Sequence, residues 1–464
     1  MGKRYLSLDF LRGVSIFGMI FSAIIPYGVL PAWMYHIQNP PPEHTLDMSV
    51  SGIGWVDLVF PVFIFCMGAA IPLGWKKLEG QRVSGSGSSS TQEYIKGVVT
   101  RFLGLWAFSY LYVLMNFSNV EGLWPQIFTL AGFGALFLIY SRDRSFTFWG
   151  ILLAVIVIAV GHFYFGEVVS QHRRGIIIFL LAFLYLFGSL IWYFTRDNLG
   201  IRAVIFAVLF IFTHVTRQLD WPAITYANPS VRWWFNMEYF YFLLILLPAT
   251  VVGDMLRAGR MICERESGAL DQAGDTAVKE HIFYPALLLF TVWQCYALYM
   301  NITEVNLLVS LLFFLSLFSA ANRYFRQYRS LIIMAGVLML WGLLFTYIEG
   351  GVKKVPCTVS YCMITSSIAI CLLIFSGYIC KYAAESHLVR LFAGAGRNPL
   401  MGYVAFDLLV VPFMKATGII AIYSSIYSVS QGNPLWGIVR AAAVTLLTMW
   451  IVALFSRKKI FWKA

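Results

Sequence analysis

Apolar runs of hydrocarbon length recur from one end of this chain to the other, separated by short polar turns. A helix of about 20 apolar residues crosses a bilayer core. The runs lie near 10–30, 54–74, 95–115, 124–140, 146–165, 175–194, 201–216, 235–253, 282–300, 304–320, 330–348, 358–380, 398–420 and 434–456. They predict an all-α polytopic integral membrane bundle of about 14 transmembrane helices. The count falls toward ten if short neighbours are re-entrant, and it stays even. Backbone groups in lipid must be paired within the chain, so the spans are helices or strands of a closed barrel. Barrel strands alternate apolar and polar residues, and a run such as GILLAVIVIAV does not. Helices are the remaining choice.

The distribution of charge orients the map. Lys and Arg accumulate in cytoplasmic loops. With the N-terminus inside, the basic residues flanking the spans on that side include Lys3, Arg4, Lys76, Lys77, Arg142, Arg144, Arg257, Arg260, Arg323, Arg326, Arg329, Arg457, Lys458 and Lys459. On the other side stand Arg173, Arg174, Arg217, Arg232, Lys353 and Lys354. Both termini are therefore expected in the cytoplasm. The net charge of +12 reads as topology and not as a nucleic-acid footprint. Only 12% of residues are charged and 59% are hydrophobic, against about 25% charged in soluble proteins. No small-residue cleavage site follows the first run, which is read as a retained span. The seven cysteines lie mostly inside apolar runs, without CxxC or His-rich spacing, so neither a disulfide framework nor a metal site is expected.

The chain 1–464 reads as a single membrane domain without an internal repeat. Segment 76–93 is Gly/Ser-rich and expected to be a flexible cytoplasmic loop, and 254–281 a charged cytoplasmic loop. Segments 31–53 and 217–234 are expected outside.

Candidate chemistry concentrates in the loop 31–53. It carries His36, Glu43, His44 and Asp47, with Asp57 just beyond at the mouth of the next span. Histidine titrates near neutral pH and can move a proton or accept an acyl group. An ionised Asp57 at the edge of an apolar run needs a partner, or it caps a helix. Asp9 and Arg12 share one helix face, as an ion pair or with Arg12 free for phosphate. Lys353 and Lys354, in GGVKKVPCTVSY, oppose the charge bias; they suit an anionic substrate, a pairing with Asp57, or a solvated turn. Trp33, Trp55 and Trp124 fit an interfacial aromatic belt, or stacking against a sugar.

SLDFLRG, WVDLVFPVFIFCMGAAIP, GGVKKVPCTVSY, GRNPLMGYV and RKKIFWKA occur in this order. Together they resemble the heparan-α-glucosaminide N-acetyltransferase family of transmembrane acyltransferases and its bacterial relatives, strongly at both ends and weakly in the middle. The resemblance implies transfer of acetyl from cytoplasmic acetyl-CoA to the amine of a terminal glucosamine on the far side. It also implies a catalytic histidine before DLVFP. Counted from the first span, that residue is His36, with NPPPEH as an insertion after it. Counted back from Asp57, the place falls on Asp47, with His44 nearby. Where the family often has an Asn in the first span, Ser22 and Ala23 stand here.

The implied roles follow. His36, with His44 second and Asp57 beside it, would act as general base or form an acetyl-imidazole. Arg12, Arg397 and the helix start at Asn398 would hold the coenzyme phosphates. Lys353, Lys354 and Trp55 would meet an amino sugar or glycosaminoglycan fragment. Membrane lipid is an expected partner, a homodimer is left open, and nucleic acid is not expected. The expected location is a bacterial inner membrane. The rival readings are an O-acyltransferase acting on envelope polysaccharide and a secondary transporter.

Overall fold

A computed structural model describes residues 5–28, 30–82, 90–141, 144–219, 234–258, 273–430 and 434–462. Among them, fourteen helices are long and apolar enough to cross a membrane, and there is no strand. The chain is an integral membrane protein built as a polytopic helical bundle.

The helices are α1 (Leu6–Ile24), α2 (Trp55–Arg82), α3 (Ser90–Leu114), α4 (Leu123–Tyr140), α5 (Thr147–Tyr164), α6 (Ile176–Thr195), α7 (Leu199–Gln218) and α8 (Leu243–Arg257). There follow α9 (Ala273–Tyr299), α10 (Thr303–Arg323), α11 (Arg329–Glu349), α12 (Val359–Ala383) and α13 (His387–Gly396). The last three are α14 (Pro399–Ala416), α15 (Ile419–Ser430) and α16 (Pro434–Arg457).

Several boundaries differ from the sequence reading, each for a local reason. Helix α1 stops at Ile24 and does not reach 30, because Pro26 offers no N–H and disfavours helix at Ile25. The segment 76–93 is not one loop: α2 continues to Arg82 and α3 starts at Ser90. Helix also enters both ends of 254–281, to Arg257 and from Ala273. The parts 83–89, 259–272 and 220–233 lie outside the described residues. The expected span 398–420 closes at Ala416 and contains one π turn, Phe406–Val410, before Pro412. Helices α13 and α15, of 10 and 12 residues, are too short to cross.

The chain forms two compact units. The first comprises residues 1–11, 31–87 and 188–389. Its core is α2 against α8. A Cβ at Gly68 would sit 2.7 Å from the Leu246 carbonyl oxygen, so only glycine lets the two backbones approach this closely. Polarity here is inverted relative to a soluble bundle. On α7, Val204, Val208 and Ile211 are 59–63% exposed while Arg202 is 2% exposed. Arg202 donates to Asp254 at 2.6 Å and to Thr195 and Thr250, and Asp254 also accepts from the Trp192 indole at 3.0 Å. A charge inside a membrane bundle persists when its partners are inside too. Gln294, Asn306, Ser310 and Trp293 form a second closed network between α9 and α10, with bonds of 2.9–3.0 Å.

The second unit comprises 12–30, 88–187 and 390–464. The chain end is anchored inside it: Trp462 packs against Phe108 and Phe133, and its backbone N–H donates to Asn398 Oδ1 at 3.1 Å.

Candidate functional site

The site in the first unit starts from the way α2 begins. Gly54 precedes the helix, and Asp57 is its third residue. Asp57 Oδ2 accepts the Gly54 N–H at 3.2 Å, which satisfies a donor the helix itself leaves open. The same oxygen accepts the Ile37 N–H at 3.3 Å, tying loop 31–53 to the helix start. The other oxygen, Oδ1, lies 2.7 Å from His36 Nδ1. Capping and a partner for its charge, which the sequence posed as alternatives for Asp57, coexist on its two oxygens. The Tyr361 hydroxyl donates to the Asp57 carbonyl at 2.7 Å and fixes the backbone beneath.

This geometry sets the imidazole. Opposite a carboxylate, Nδ1 carries the proton and Nε2 carries the lone pair. Nε2 makes no hydrogen bond with any described residue, and the side chain is 40% exposed. The Asp57 side chain is 5% exposed. A buried carboxylate orienting a half-exposed imidazole is the arrangement that makes a general base.

Lys354 completes the cluster. Its Nζ lies 3.8 Å from Asp57 Oδ1 and 3.5 Å from His36 Nδ1. Burial pushes the Lys354 ammonium below the ordinary lysine range, against the pull of Asp57. The turn that carries it is clasped to loop 31–53 by Gln38. The Gln38 carbonyl oxygen accepts the N–H groups of Lys354 and Val355 at 3.2 and 2.8 Å, and its amide donates to the Val355 carbonyl at 2.6 Å. Two further bonds join the same segments, Gly52 N–H to the Val352 carbonyl at 2.7 Å and Lys353 Nζ to the Met48 carbonyl at 2.9 Å. Gly52 has φ of 133° and lies against the Leu298 carbonyl, where a Cβ would sit at 2.8 Å, so no other residue serves there. Behind the turn, Glu349 accepts the Val359 and Ser360 N–H groups at 2.9 Å each at the start of α12, with Arg217 at 3.7 Å.

The other expected residues fall differently. His44 sits at φ 51° in the turn made by NPPPEH and stacks edge-on against Tyr35, with centroids 4.6 Å apart. Asp57 is bonded by His36 and not by His44. Asp47, the place reached by counting back from Asp57, bonds to Ser49. Lys353 is spent on the loop clasp. Trp55 is the half-buried first residue of α2. In the second unit, Arg12 Nη1 donates to the Gly396 carbonyl at 3.2 Å, and Arg397, the next residue after it, is exposed. The Asn398 side chain is fully buried and bridges Ile460 and Trp462. The Asn398 amide thus serves the chain end.

Gln38 was missed by the sequence reading. A lone amide in a Pro-rich loop carries no local signal; its partner backbone lies 317 residues away.

Compared with known families, residues 4–256 match the family described as Domain of unknown function (DUF5009), which covers more than half of the chain. No curated protein matches it.

Proposed function

We propose from its site that this chain, which belongs to the DUF5009 family, is a transmembrane N-acetyltransferase. In this reading acetyl passes from cytoplasmic acetyl-CoA to the amine of a terminal, heparan-like glucosamine on the opposite side of a bacterial inner membrane. The observation that carries the reading is His36: Nδ1 held by buried Asp57 at 2.7 Å, Nε2 unbonded, ring half-exposed.

A glucosamine amine is largely protonated near neutral pH and must shed a proton to attack a thioester. His36 Nε2 takes that proton, and Asp57 stabilises the imidazolium that forms. A positioned base of this kind contributes about 10²–10⁴-fold. The same nitrogen is the one available if acetyl rests on the ring before transfer. Lys354 adds a positive charge beside the His36–Asp57 pair. Arg12, Arg397, Lys458 and Lys459 are the groups suited to coenzyme phosphates: each is a cation, Arg12 in the second turn of α1 and the others at the ends of α14 and α16.

The test is acetyl transfer by purified protein to a panel of amino sugars and glucosamine-terminated oligosaccharides, with His36→Ala as control. Transfer that depends on His36 supports the reading; acetyl-CoA binding with no transfer to any amine or hydroxyl acceptor removes it. Transfer to hydroxyls alone selects the envelope O-acyltransferase alternative. One observation keeps the transporter reading in play: Asp407 lies within a span, on the π turn of α14, and forms no ion pair with a described residue. Acetyl-CoA binding separates the two, since a transporter has no use for it.

A further inference from the structure

Helix α12 begins at the cap residue Thr358, whose hydroxyl accepts the Tyr361 N–H at 3.1 Å. At such a start, the residue before the cap often packs against the fourth residue of the helix, and the pair fixes the angle at which the chain enters. Here those two residues are Cys357 and Cys362, both buried, with their sulfurs 3.4 Å apart. Their other contacts are weak. Cys362 Sγ donates to the Tyr241 carbonyl at 3.5 Å, and Cys357 Sγ to the Thr358 carbonyl at 3.8 Å. A pair of apolar side chains would serve the packing equally well. What sets two thiols apart is that they can be joined.

The pair stands directly behind the turn that carries Lys354. The Lys353 N–H donates to the Thr358 hydroxyl at 3.1 Å, and the Thr358 N–H donates to the Lys353 carbonyl at 3.0 Å. A bond from Cys357 to Cys362 would close a ring around this cap. Tyr361, whose hydroxyl holds the Asp57 carbonyl at 2.7 Å, lies within that ring. The cross-link would therefore fix at once the turn beside His36 and the tyrosine beneath Asp57.

We infer that Cys357 and Cys362 form a disulfide, made on the non-cytoplasmic side by a thiol–disulfide oxidoreductase before the turn is packed. One cysteine thiolate attacks the disulfide of the oxidant, which gives a mixed disulfide and releases one thiol of the oxidant. The second cysteine thiolate then attacks the sulfur of the first and releases the other thiol. The chain gives up two electrons and two protons, and the oxidant takes them up as two thiols. The sulfurs must close from 3.4 Å to about 2.0 Å, a movement within reach of side-chain rotation. Oxidising compartments outside the cytoplasm sustain such bonds, and burial shields this one from reductants. The inference rests on the outward placement of loop 31–53 in the proposed function.

The full chain, expressed in bacterial cells, tests it without any variant that must fold. Cells are quenched in acid, denatured and blocked with N-ethylmaleimide, so the thiol state at harvest is the one read. Cleavage after Tyr361 separates the two cysteines. In mass spectrometry the two halves are expected to stay joined until a reductant is added. Alkylated Cys357 and Cys362 in the quenched sample would overturn the bond. A bond found only in unquenched samples would assign it to air and overturn it equally. In cells lacking the periplasmic thiol oxidase the joined fraction should fall, and a full yield there would overturn the oxidoreductase as its maker. An impermeant maleimide applied to spheroplasts carrying Ser49→Cys tests the placement separately. Labelling above wild type together with free Cys357 and Cys362 would overturn the bond alone. No labelling would overturn the placement and the inference with it.

Discussion

His36 and Asp57 meet at 2.7 Å although 21 positions separate them, and the carboxylate that holds the imidazole is also the one that closes the first turn of α2. Any change at Asp57 therefore acts on both the His36 imidazole and a helix start. Asp57→Asn keeps the shape but presents an amide to Nδ1, which misorients the ring or its tautomer. Acetyl transfer should fall by about 10²–10⁴-fold, as in other systems where the orienting carboxylate is lost. His36→Ala should abolish transfer while leaving acetyl-CoA binding and thermal unfolding unchanged. His44→Ala should lower activity far less, through the shape of its turn. A dead His44→Ala with an active His36→Ala, measured side by side, would reassign the base.

Gln38→Ala removes three hydrogen bonds to the backbone at Lys354 and Val355 and leaves two N–H groups without their acceptor. A destabilisation of about 1–3 kcal/mol is expected. Transfer should drop with it, because Lys354 and loop 31–53 lose their common anchor. Thermal unfolding in detergent and the transfer rate should move together. Gln38→Glu keeps the size but sets a carboxylate against the Val355 carbonyl, and it should not restore the site.

Lys354 offers a pH signature. Its ammonium is held below the ordinary value of 10.5, mainly by burial. Between the folded and unfolded values the unfolded chain binds more protons, so this residue makes stability rise with pH through a window lying below 10.5. Wild type should gain unfolding temperature relative to Lys354→Met as pH climbs toward 10.5. A flat difference across that range would show that Lys354 is not held down by its surroundings.

Glu349 accepts two N–H groups of α12 and faces Arg217, with its side chain 3% exposed. Glu349→Ala strands two backbone donors and leaves the half-buried Arg217 without this carboxylate. It should destabilise by about 1–3 kcal/mol, visible as loss of monodisperse protein on size exclusion. Arg217→Ala with Glu349→Gln should recover part of that loss.

Arg12→Ala and Arg397→Ala should each weaken acetyl-CoA binding in calorimetry without altering His36-dependent ring chemistry. Asn398→Ala acts by another route, through release of Ile460 and Trp462, so it should expose the chain end to protease first. Unchanged affinity in both arginine variants would remove Arg12 and Arg397 from coenzyme binding.

The spans were legible because hydrocarbon length and apolarity are local properties of the chain. The expected limits 146–165 and 434–456 lie within a residue or two of Thr147–Tyr164 and Pro434–Arg457. What was not legible depends on contact. The π turn at Phe406–Val410 gives no periodicity signal, and α13 is too short for a hydropathy window. Within the site, Asp57 stood out because it is a charge at the edge of an apolar run. His36 emerged only by counting from the first span, and its bond to Asp57 could not be read from spacing. Lys353 and Lys354 look alike in sequence, yet one ties down the Met48 carbonyl and the other joins the His36–Asp57 pair. Their difference comes from the direction of the turn after Gly351.

The clasp made by Gln38 has a consequence for biogenesis. His36 and Asp57 are both present once the first two spans have left the ribosome, but the backbone at Val355 is 317 positions after Gln38. At about 5–20 residues per second, roughly 15–60 s of synthesis separate the two. For that interval loop 31–53 stands without its partner, and the imidazole and carboxylate have no lysine beside them. Assembly of the His36–Asp57–Lys354 cluster is thereby tied to the arrival of the turn before α12, and a nascent chain arrested before residue 355 carries the histidine without its finished surroundings.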